Sequence, residues 1–227
     1  MTVGTPDENK APQALIVDYA RNPQTAYGFN VASMAFNNHF FFRGINSNPN
    51  VNSVPSADLR HKINENFTSI DSLKDTFLAT ADAMFGPGFV WLVQTNDTQK
   101  KPLKILTTYI AGSPLSGAHH RRQEVDLNTH NPSSYQNLNA VGAFGANAKQ
   151  KQQPKKALGG VDVVPLLCVN TWEHAWLHDY GVGGKMAYLQ AWWDKIDWEQ
   201  VRQYADTTKS DQQPQSHGQG SRQFLYN

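Results

Sequence analysis

A change of pattern at Gly86-Pro87-Gly88 separates two parts of the chain that differ in periodicity. Before this junction, apolar residues recur at three- and four-residue steps over residues 57–85, which is the spacing of a buried helix face. Ser56 is a suitable N-cap for that region. A break is predicted near Thr68–Ser69 because Ser and Thr compete for backbone hydrogen bonds. After the junction, short apolar runs bounded by turn residues are typical of strands.

The order of helices, then strands, then helices predicts an α+β fold. The predicted helices cover residues 12–21, 24–42, 57–85, 172–180, 185–195 and 197–205, and the predicted strands cover 89–95, 103–110 and 161–169. The chain is accordingly divided into an N-terminal helical domain over 1–85, a C-terminal α/β domain over 86–206 with a polar basic insertion over 111–160, and a disordered tail over 207–227.

Charge and composition exclude several classes of protein. With 20 basic and 19 acidic residues the formal net charge is +1, so no overall field attracts nucleic acid. The hydrophobic fraction of 39% favours a folded chain, and no apolar stretch approaches the ~20 residues of a membrane span. Cys168 stands alone in an apolar run, so we expect no internal disulfide and a buried, inert thiol.

The insertion over 111–160 carries a local excess of positive charge. Six basic residues stand against two acidic ones, in a segment rich in Asn, Gln, Ser and Gly. The basic residues are Arg121, Arg122, Lys149, Lys151, Lys155 and Lys156. Two interpretations remain open. The insertion is either a disordered polar surface or an arm that becomes ordered against a partner, for which RNA is a natural candidate because its phosphates bind Lys and Arg.

Four separated segments resemble the iron/manganese superoxide dismutase family. They are PLLCVNTWEHAW at 165–176, FGPGFVWLV at 85–93, YLQAWWDKIDWEQV at 188–201 and AFNNHFFF at 35–42. In order and spacing they extend over most of residues 30–205, interrupted by the insertion. The resemblance implies an N-terminal helical part with a truncated first helix, packed on a C-terminal α/β part with a three-stranded antiparallel sheet.

The resemblance also implies which positions correspond to metal ligands. The family binds iron or manganese through three His and one Asp, and His39, Asn170 and His174 match three of these four positions. Asn170 replaces the anionic ligand, and residues 1–38 contain no His to match the first position. Iron and manganese favour anionic oxygen beside imidazole, so we expect no bound metal, no cofactor and no catalytic residue.

The polar residues around His174 admit other interpretations. His174 and His178 are four residues apart, a spacing that suits zinc on one helical face. Alternatively, His39 and His174 hydrogen-bond to each other, to Asn170 or to a trapped water. The match of Glu173 and His174 to the family implies a contact across a dimer interface, and a solvated Glu173 is the alternative.

Three segments, GTPDENKAP at 4–12, DYAR at 18–21 and SMAFNNHFFF at 33–42, resemble a narrower group, the fungal mitochondrial small-subunit ribosomal proteins that are superoxide-dismutase-like. This resemblance implies a non-catalytic structural protein of the mitochondrial matrix that contacts ribosomal proteins, including a second dismutase-like subunit. The polar N-terminus resembles neither a secretory signal nor a transit peptide. Two alternatives remain: a dismutase with a rearranged metal site, and a free homodimer that binds an unrelated ligand.

Overall fold

The computed structural model describes residues 2–20, 22–48, 53–95, 102–118 and 163–210. Its helices are α1 (Pro12–Tyr19), α2 (Ala26–Arg43), α3 (Ala57–Phe67), α4 (Ile70–Asp82), α5 (Leu177–Tyr180), α6 (Lys185–Trp193) and α7 (Trp198–Ser210). Its strands are β1 (Gly88–Thr95), β2 (Leu103–Tyr109) and β3 (Val163–Asn170). Short 3₁₀ turns lie at Pro23–Thr25, Ser116–Ala118 and Glu173–Ala175. None of the described helices has the length and apolarity needed to cross a membrane.

The three strands form one antiparallel sheet, as predicted. The strand order is β2-β1-β3, so Trp91 of β1 lies opposite Leu106 of β2 on one side and Cys168 of β3 on the other. Every residue of β1 is buried, which is the pattern of a central strand covered on both faces. Cys168 is buried as well, and the loss of solvation raises the pKa of its thiol.

The junction between the helices and the sheet requires glycine at two positions. Gly86 has a φ of +99°, a left-handed conformation that other residues disfavour. A Cβ atom on Gly88 would lie 2.2 Å from the carbonyl oxygen of Thr108, because β1 begins close against β2. The change of pattern in the sequence therefore coincides with the start of the sheet.

The long helical region predicted over 57–85 consists of α3 and α4, separated at the predicted break. Thr68 has a φ of +70°, and the hydroxyl of Ser69 accepts the backbone N–H of Ser72 at 3.0 Å as the N-cap of α4. Ser56 caps α3 in the same way, through the N–H of Leu59 at 3.4 Å. The capping side chains explain why one periodic stretch makes two helices.

The single helix predicted over 172–180 is wrong. A 3₁₀ turn is followed by the one-turn helix α5, and Trp176 between them has a φ of −143°, outside the helical range. The side chain of Asn170 accepts the backbone N–H of Trp172 and so begins a tight turn before the helix can form. A local side-chain contact therefore overrides the helical spacing here.

The structure also describes the first residues of two predicted segments, the tail and the insertion. Helix α7 continues to Ser210, so residues 207–210 are helical rather than part of a disordered tail. The beginning of the insertion is packed, since Gly117 lies against Val17 of α1 and the hydroxyl of Ser116 accepts the backbone N–H of Val163 at 2.8 Å. The rest of the insertion and of the tail, 119–160 and 211–227, lies outside the described residues.

One hydrophobic core joins the helices to the sheet. Phe40 of α2 lies 5.5 Å from Trp91 and 4.9 Å from Tyr204 of α7, measured between ring centroids. Phe77 of α4 stacks on Trp192 of α6 with 5.5 Å between the centroids. These contacts cross the boundary predicted at residue 85, and the division into two domains stays a prediction.

Candidate functional site

Asn170 is the last residue of β3, and only 2% of it is exposed. Its Oδ1 accepts the backbone N–H of Trp172 at 2.8 Å, and its Nδ2 donates to Oδ1 of Asn38 at 3.1 Å. The hydroxyl of Tyr188 donates to its backbone carbonyl at 2.8 Å. The position that matches the family's Asp therefore holds a buried amide that is hydrogen-bonded on both sides.

Asn38 supplies the other half of this contact from α2. Its Nδ2 donates to the carbonyl of Met34 one turn earlier at 3.0 Å, which turns its Oδ1 towards Asn170. Each of the two amides thus donates one of these hydrogen bonds and accepts another, so the orientations support each other. We call the pair Asn38–Asn170 the amide joint, because it connects α2 to the end of β3 without any charge.

Other neutral groups reinforce the connection between α2 and the sheet. Asn37 is fully buried and donates to the carbonyl of Gly112 at 2.9 Å, and the thiol of Cys168 lies 4.0 Å from the carbonyl of Asn37. Burial raises the pKa of the Tyr188 phenol, so its hydroxyl remains a donor to Asn170 at neutral pH. The side chains that make these contacts around the joint are therefore neutral.

The histidines at the predicted ligand positions do not share the burial of Asn170. His39 and His174 are both exposed, and the ring of His174 lies 5.5 Å from that of Trp172. His178 lies in α5, beyond the interruption at Trp176, and its Nδ1 is 3.0 Å from the carboxylate of its neighbour in the chain. The zinc interpretation required His174 and His178 on one helical face, and that helix is not formed.

The residues at the amide joint do not fit iron or manganese. The single side-chain oxygen of Asn170 already accepts the N–H of Trp172 and carries no charge. In the parts of the chain that the structure describes, no three His, Cys, Asp or Glu side chains converge closely enough to hold a metal ion. Sites of this family combine an anionic oxygen with convergent imidazoles, and the described donor set supplies neither.

Charged residues are exposed at the surface just after Asn170 in the chain. Glu173 and His174 are exposed in the 3₁₀ turn. The Nζ of Lys185 donates to the carbonyls of Asp82 and Met84 at 3.0 and 3.2 Å, just after α4. Partial burial lowers the pKa of Lys185, and the negative charges of Asp82 and Glu173 oppose that shift. Lys185 is therefore hydrogen-bonded to the end of α4 and interacts electrostatically with Glu173 in the 3₁₀ turn.

Exposed apolar side chains lie close to these charged residues along the chain. Phe85, which follows the end of α4, is 96% exposed, and Leu177 and Tyr180 in α5 are also open to solvent. Exposed apolar side chains rimmed by polar residues are typical of an interaction site. We call this region the Glu173 surface, defined by Phe85, Glu173, His174, Leu177 and Tyr180.

The candidate RNA or partner contacts of the insertion lie outside the described residues. They are Arg121, Arg122, Lys149, Lys151, Lys155 and Lys156.

Sequence reasoning identified Asn170 but missed Asn38 and Tyr188. The sequence offered an indication of Asn38, because this residue stands directly before the predicted ligand position His39 in AFNNHFFF. Adjacent helical residues point about 100° apart, so Asn38 can face the end of β3 while His39 faces solvent. The family pattern favoured His39, and the packing of α2 selects Asn38.

Comparison with known proteins identifies the class. The family description "Iron/manganese superoxide dismutases, C-terminal domain" matches residues 55–131 and 132–204, which is more than half of the chain. The chain belongs to the iron/manganese superoxide dismutase family, as the four sequence segments predicted. The helices and the three-stranded antiparallel sheet agree with the α+β fold expected from that resemblance.

The chain is also similar in sequence to three individual proteins. Small ribosomal subunit protein mS42 of Schizosaccharomyces pombe is 31% identical over 207 residues, covering 88% of this chain and 76% of the relative. Small ribosomal subunit protein mS43 of the same organism is 29% identical over 206 residues, covering 88% of this chain and 68% of the relative. An iron superoxide dismutase of Babesia bovis is 28% identical over 196 residues, covering 86% of this chain and 71% of the relative.

Proposed function

We propose that this protein is a non-catalytic structural component of the small subunit of the mitochondrial ribosome, in which the dismutase fold serves as a docking scaffold. The amide joint carries this proposal, because the position that matches the family's carboxylate ligand holds neutral side chains bonded to each other. The names of the two S. pombe relatives, both small ribosomal subunit proteins, indicate the assembly. Location in the mitochondrial matrix follows from membership in that assembly.

The chemistry of the joint supports a structural role. Superoxide dismutation requires a centre that gains and loses one electron in turn, and Asn38 and Asn170 have no such capacity. What the two amides do is hold α2 against the C-terminal end of β3. A contact made of neutral hydrogen bonds forms as the chain folds and needs no metal loading. The scaffold is thus independent of iron or manganese supply.

The Glu173 surface is the proposed contact with a second dismutase-like subunit. It presents an exposed carboxylate and an exposed imidazole beside apolar side chains, a combination suited to a specific protein contact. The similarity of this chain to two different S. pombe ribosomal proteins favours a pair of unlike dismutase-fold subunits. A homodimer is the expected alternative when the chain is isolated.

Ribosomal RNA is a second proposed partner, and this proposal rests on the charge of the insertion alone. The six basic residues of the insertion, against two acidic ones, suit contact with phosphates. In this arrangement the helical domain over 1–85 and the α/β domain over 86–206 form the scaffold.

Sedimentation and elemental analysis of the full chain test the proposed function. A tagged chain produced in mitochondria is expected to co-sediment with the small ribosomal subunit, and the purified protein is expected to contain neither iron nor manganese. Near-stoichiometric iron or manganese together with superoxide turnover would support a dismutase with a rearranged site. A small species that sediments apart from the ribosome would support a free homodimer instead.

A further inference from the structure

Strand β2 lies at an edge of the sheet, and its register shows which backbone groups point away from β1. The N–H of Thr95 donates to the carbonyl of Pro102 at 2.9 Å, and the N–H of Ile110 donates to the carbonyl of Pro87 at 2.9 Å. In an antiparallel pair, residues bonded to the neighbouring strand alternate with residues whose groups face outward. The outward residues of β2 are therefore Leu103, Ile105, Thr107 and Tyr109.

The outer edge of β2 is closed at its ends and open in its middle. The N–H of Leu103 donates to Oδ1 of Asn66 at 3.2 Å, and the carbonyl of Tyr109 accepts the N–H of Gly112 at 2.8 Å. Among the residues that the structure describes, no group bonds to the outward N–H and C=O of Ile105 and Thr107. This leaves two successive outward residues available for pairing with another extended backbone.

A cavity of about 520 Å³ adjoins this open edge. Leu106, Thr107 and Thr108 form one wall, and Tyr19, Phe29 and Asn30 from α1 and α2 form the other. Its described lining residues include aromatic, amide and hydroxyl groups but no charged side chain. The volume is within the range of sites that enclose small ligands or a few side chains.

We infer that the open edge of β2 and the adjoining cavity bind an extended, uncharged segment of a partner protein. Pairing with the backbone of Ile105 and Thr107 adds a fourth strand to the sheet. Because side chains alternate along a strand, every second residue of the added segment points into the cavity beside Leu106 and Thr108. The outward backbone groups of Ile105 and Thr107 select the extended conformation, and the uncharged side chains among the described lining residues favour an uncharged composition.

The same features disfavour two other occupants. RNA has no extended peptide backbone to pair with the outward N–H and C=O groups of Ile105 and Thr107. Pairing of two copies through β2 brings the exposed Lys104 of each copy into one small sheet, where the two positive charges repel each other, whereas an uncharged segment adds no second charge. A segment of a different protein meets neither obstacle.

Hydrogen exchange of the full chain, alone and in the complex purified from mitochondria through its tag, tests this inference. The amides of Ile105 and Thr107 should exchange quickly in the free chain and on the order of tenfold more slowly in the complex. Equal exchange in the two samples contradicts the inference. Protection already present in the free chain points to an occupant from the chain itself or a second copy, and protection removed by ribonuclease points to RNA; either result overturns it.

Two variants sharpen the measurement. Thr107→Pro removes the outward N–H without removing a bond to β1, and proline is tolerated on an edge strand when its nitrogen faces outward. Thr107→Val keeps the N–H and the β-branched shape and serves as the matched control. Protection of Ile105 in the complex should be lost in Thr107→Pro and retained in Thr107→Val, and protection retained in both contradicts the inference. If Thr107→Pro does not fold, the exchange comparison on the unsubstituted chain decides.

The docking site does not depend on the proposed ribosomal function. A chain that co-sediments with the small ribosomal subunit but shows unchanged exchange at Ile105 and Thr107 contradicts the docking site alone. Slow exchange in a complex without ribosomal proteins contradicts the ribosomal function alone.

Discussion

The amide joint and the Glu173 surface come from one run of the chain, 165–176, yet they differ in burial and in charge. Asn170 is buried, neutral and hydrogen-bonded to Asn38, while Glu173 and His174, three and four residues later, are exposed. The interior position that matches the family's ligand has become a structural contact. The groups that remain chemically accessible are those at the surface, where another molecule can meet them.

The two regions should respond differently to perturbation. The joint contains no titratable group, so its contribution comes from donor and acceptor geometry and is insensitive to salt. We expect the Glu173 surface to contribute little to folding because its side chains are solvated, and its proposed role is in association. Substitutions at the joint should therefore change stability, and substitutions at the surface should change binding.

Among the predictions, Asn170→Asp should cause the largest loss of folding stability. An Asp still accepts the N–H of Trp172, but it loses the donor to Asn38 and places a carboxylate oxygen against Oδ1 of that residue. We expect the free energy of unfolding at neutral pH to fall by about 1–3 kcal/mol. We also expect neither metal binding nor superoxide turnover, because one carboxylate does not restore the other ligands. Urea unfolding, elemental analysis and a superoxide assay measure these outcomes.

Asn64→Asp is the matched control, since it makes the same change at an exposed position of α3. Its effect on the free energy of unfolding should stay within about 0.5 kcal/mol. Turnover recovered in Asn170→Asp would show that the other ligand positions have been misplaced.

Glu173→Ala should weaken association with the partner subunit by roughly tenfold, which corresponds to about 1.4 kcal/mol. Its effect on unfolding should remain within about 0.5 kcal/mol because the side chain is exposed. Quantitative co-purification with the small ribosomal subunit measures the association. Glu65→Ala removes another exposed carboxylate, from α3, and should leave association unchanged. Equal loss in both variants would mean that Glu173 has no specific role.

A double-mutant cycle on the amide joint should show a measurable coupling energy, smaller than the effects above. Asn38→Ala and Asn170→Ala remove the two partners of one hydrogen bond, so we expect a coupling of about 1 kcal/mol in urea unfolding. The cycle of Asn38→Ala with Asn64→Ala provides the reference, because no hydrogen bond joins these two side chains among the described residues and their coupling should be near zero. A joint without coupling would show that the contact does not stabilise the fold.

The smallest predicted effect is on the stability of the fold at acidic pH. Hydrogen bonds from Arg202 lower the pKa of Glu199 from 4.5 to about 2. A lowered folded-state pKa means that this pair stabilises the fold above pH 4.5 and that its contribution is lost as the pH falls towards about 2. Solvent screens the exposed pair, so the loss is slight. Thermal unfolding of Glu199→Gln should vary less over this range than that of the unsubstituted chain.

Asn38→Ala supplies the contrast for the acid experiment. Its destabilisation should be the same at both ends of that pH range, because no group of the joint titrates there. A strongly pH-dependent effect of Asn38→Ala would argue that a charged group takes part in the joint.

Much of the fold could be predicted because its signals are local. The strands β1 and β2, the caps at Ser56 and Ser69 and the break between α3 and α4 follow from patterns within a few residues. The errors arose where a contact outside the periodic pattern decided the conformation. The turn at Trp172 forms because Asn170 captures its N–H, and spacing of apolar residues contains no sign of that bond.

By itself the sequence determined the order of helices and strands, the family, and the replacement of a carboxylate by an amide at position 170. Only the tertiary structure decided that Asn38 faces Asn170, that His39 and His174 are exposed, and that no described strand pairs with the outer edge of β2. The physical reason is separation along the chain. Asn38 and Asn170 are 132 residues apart, and their contact exists only because the whole aromatic core between α2 and the sheet brings them together.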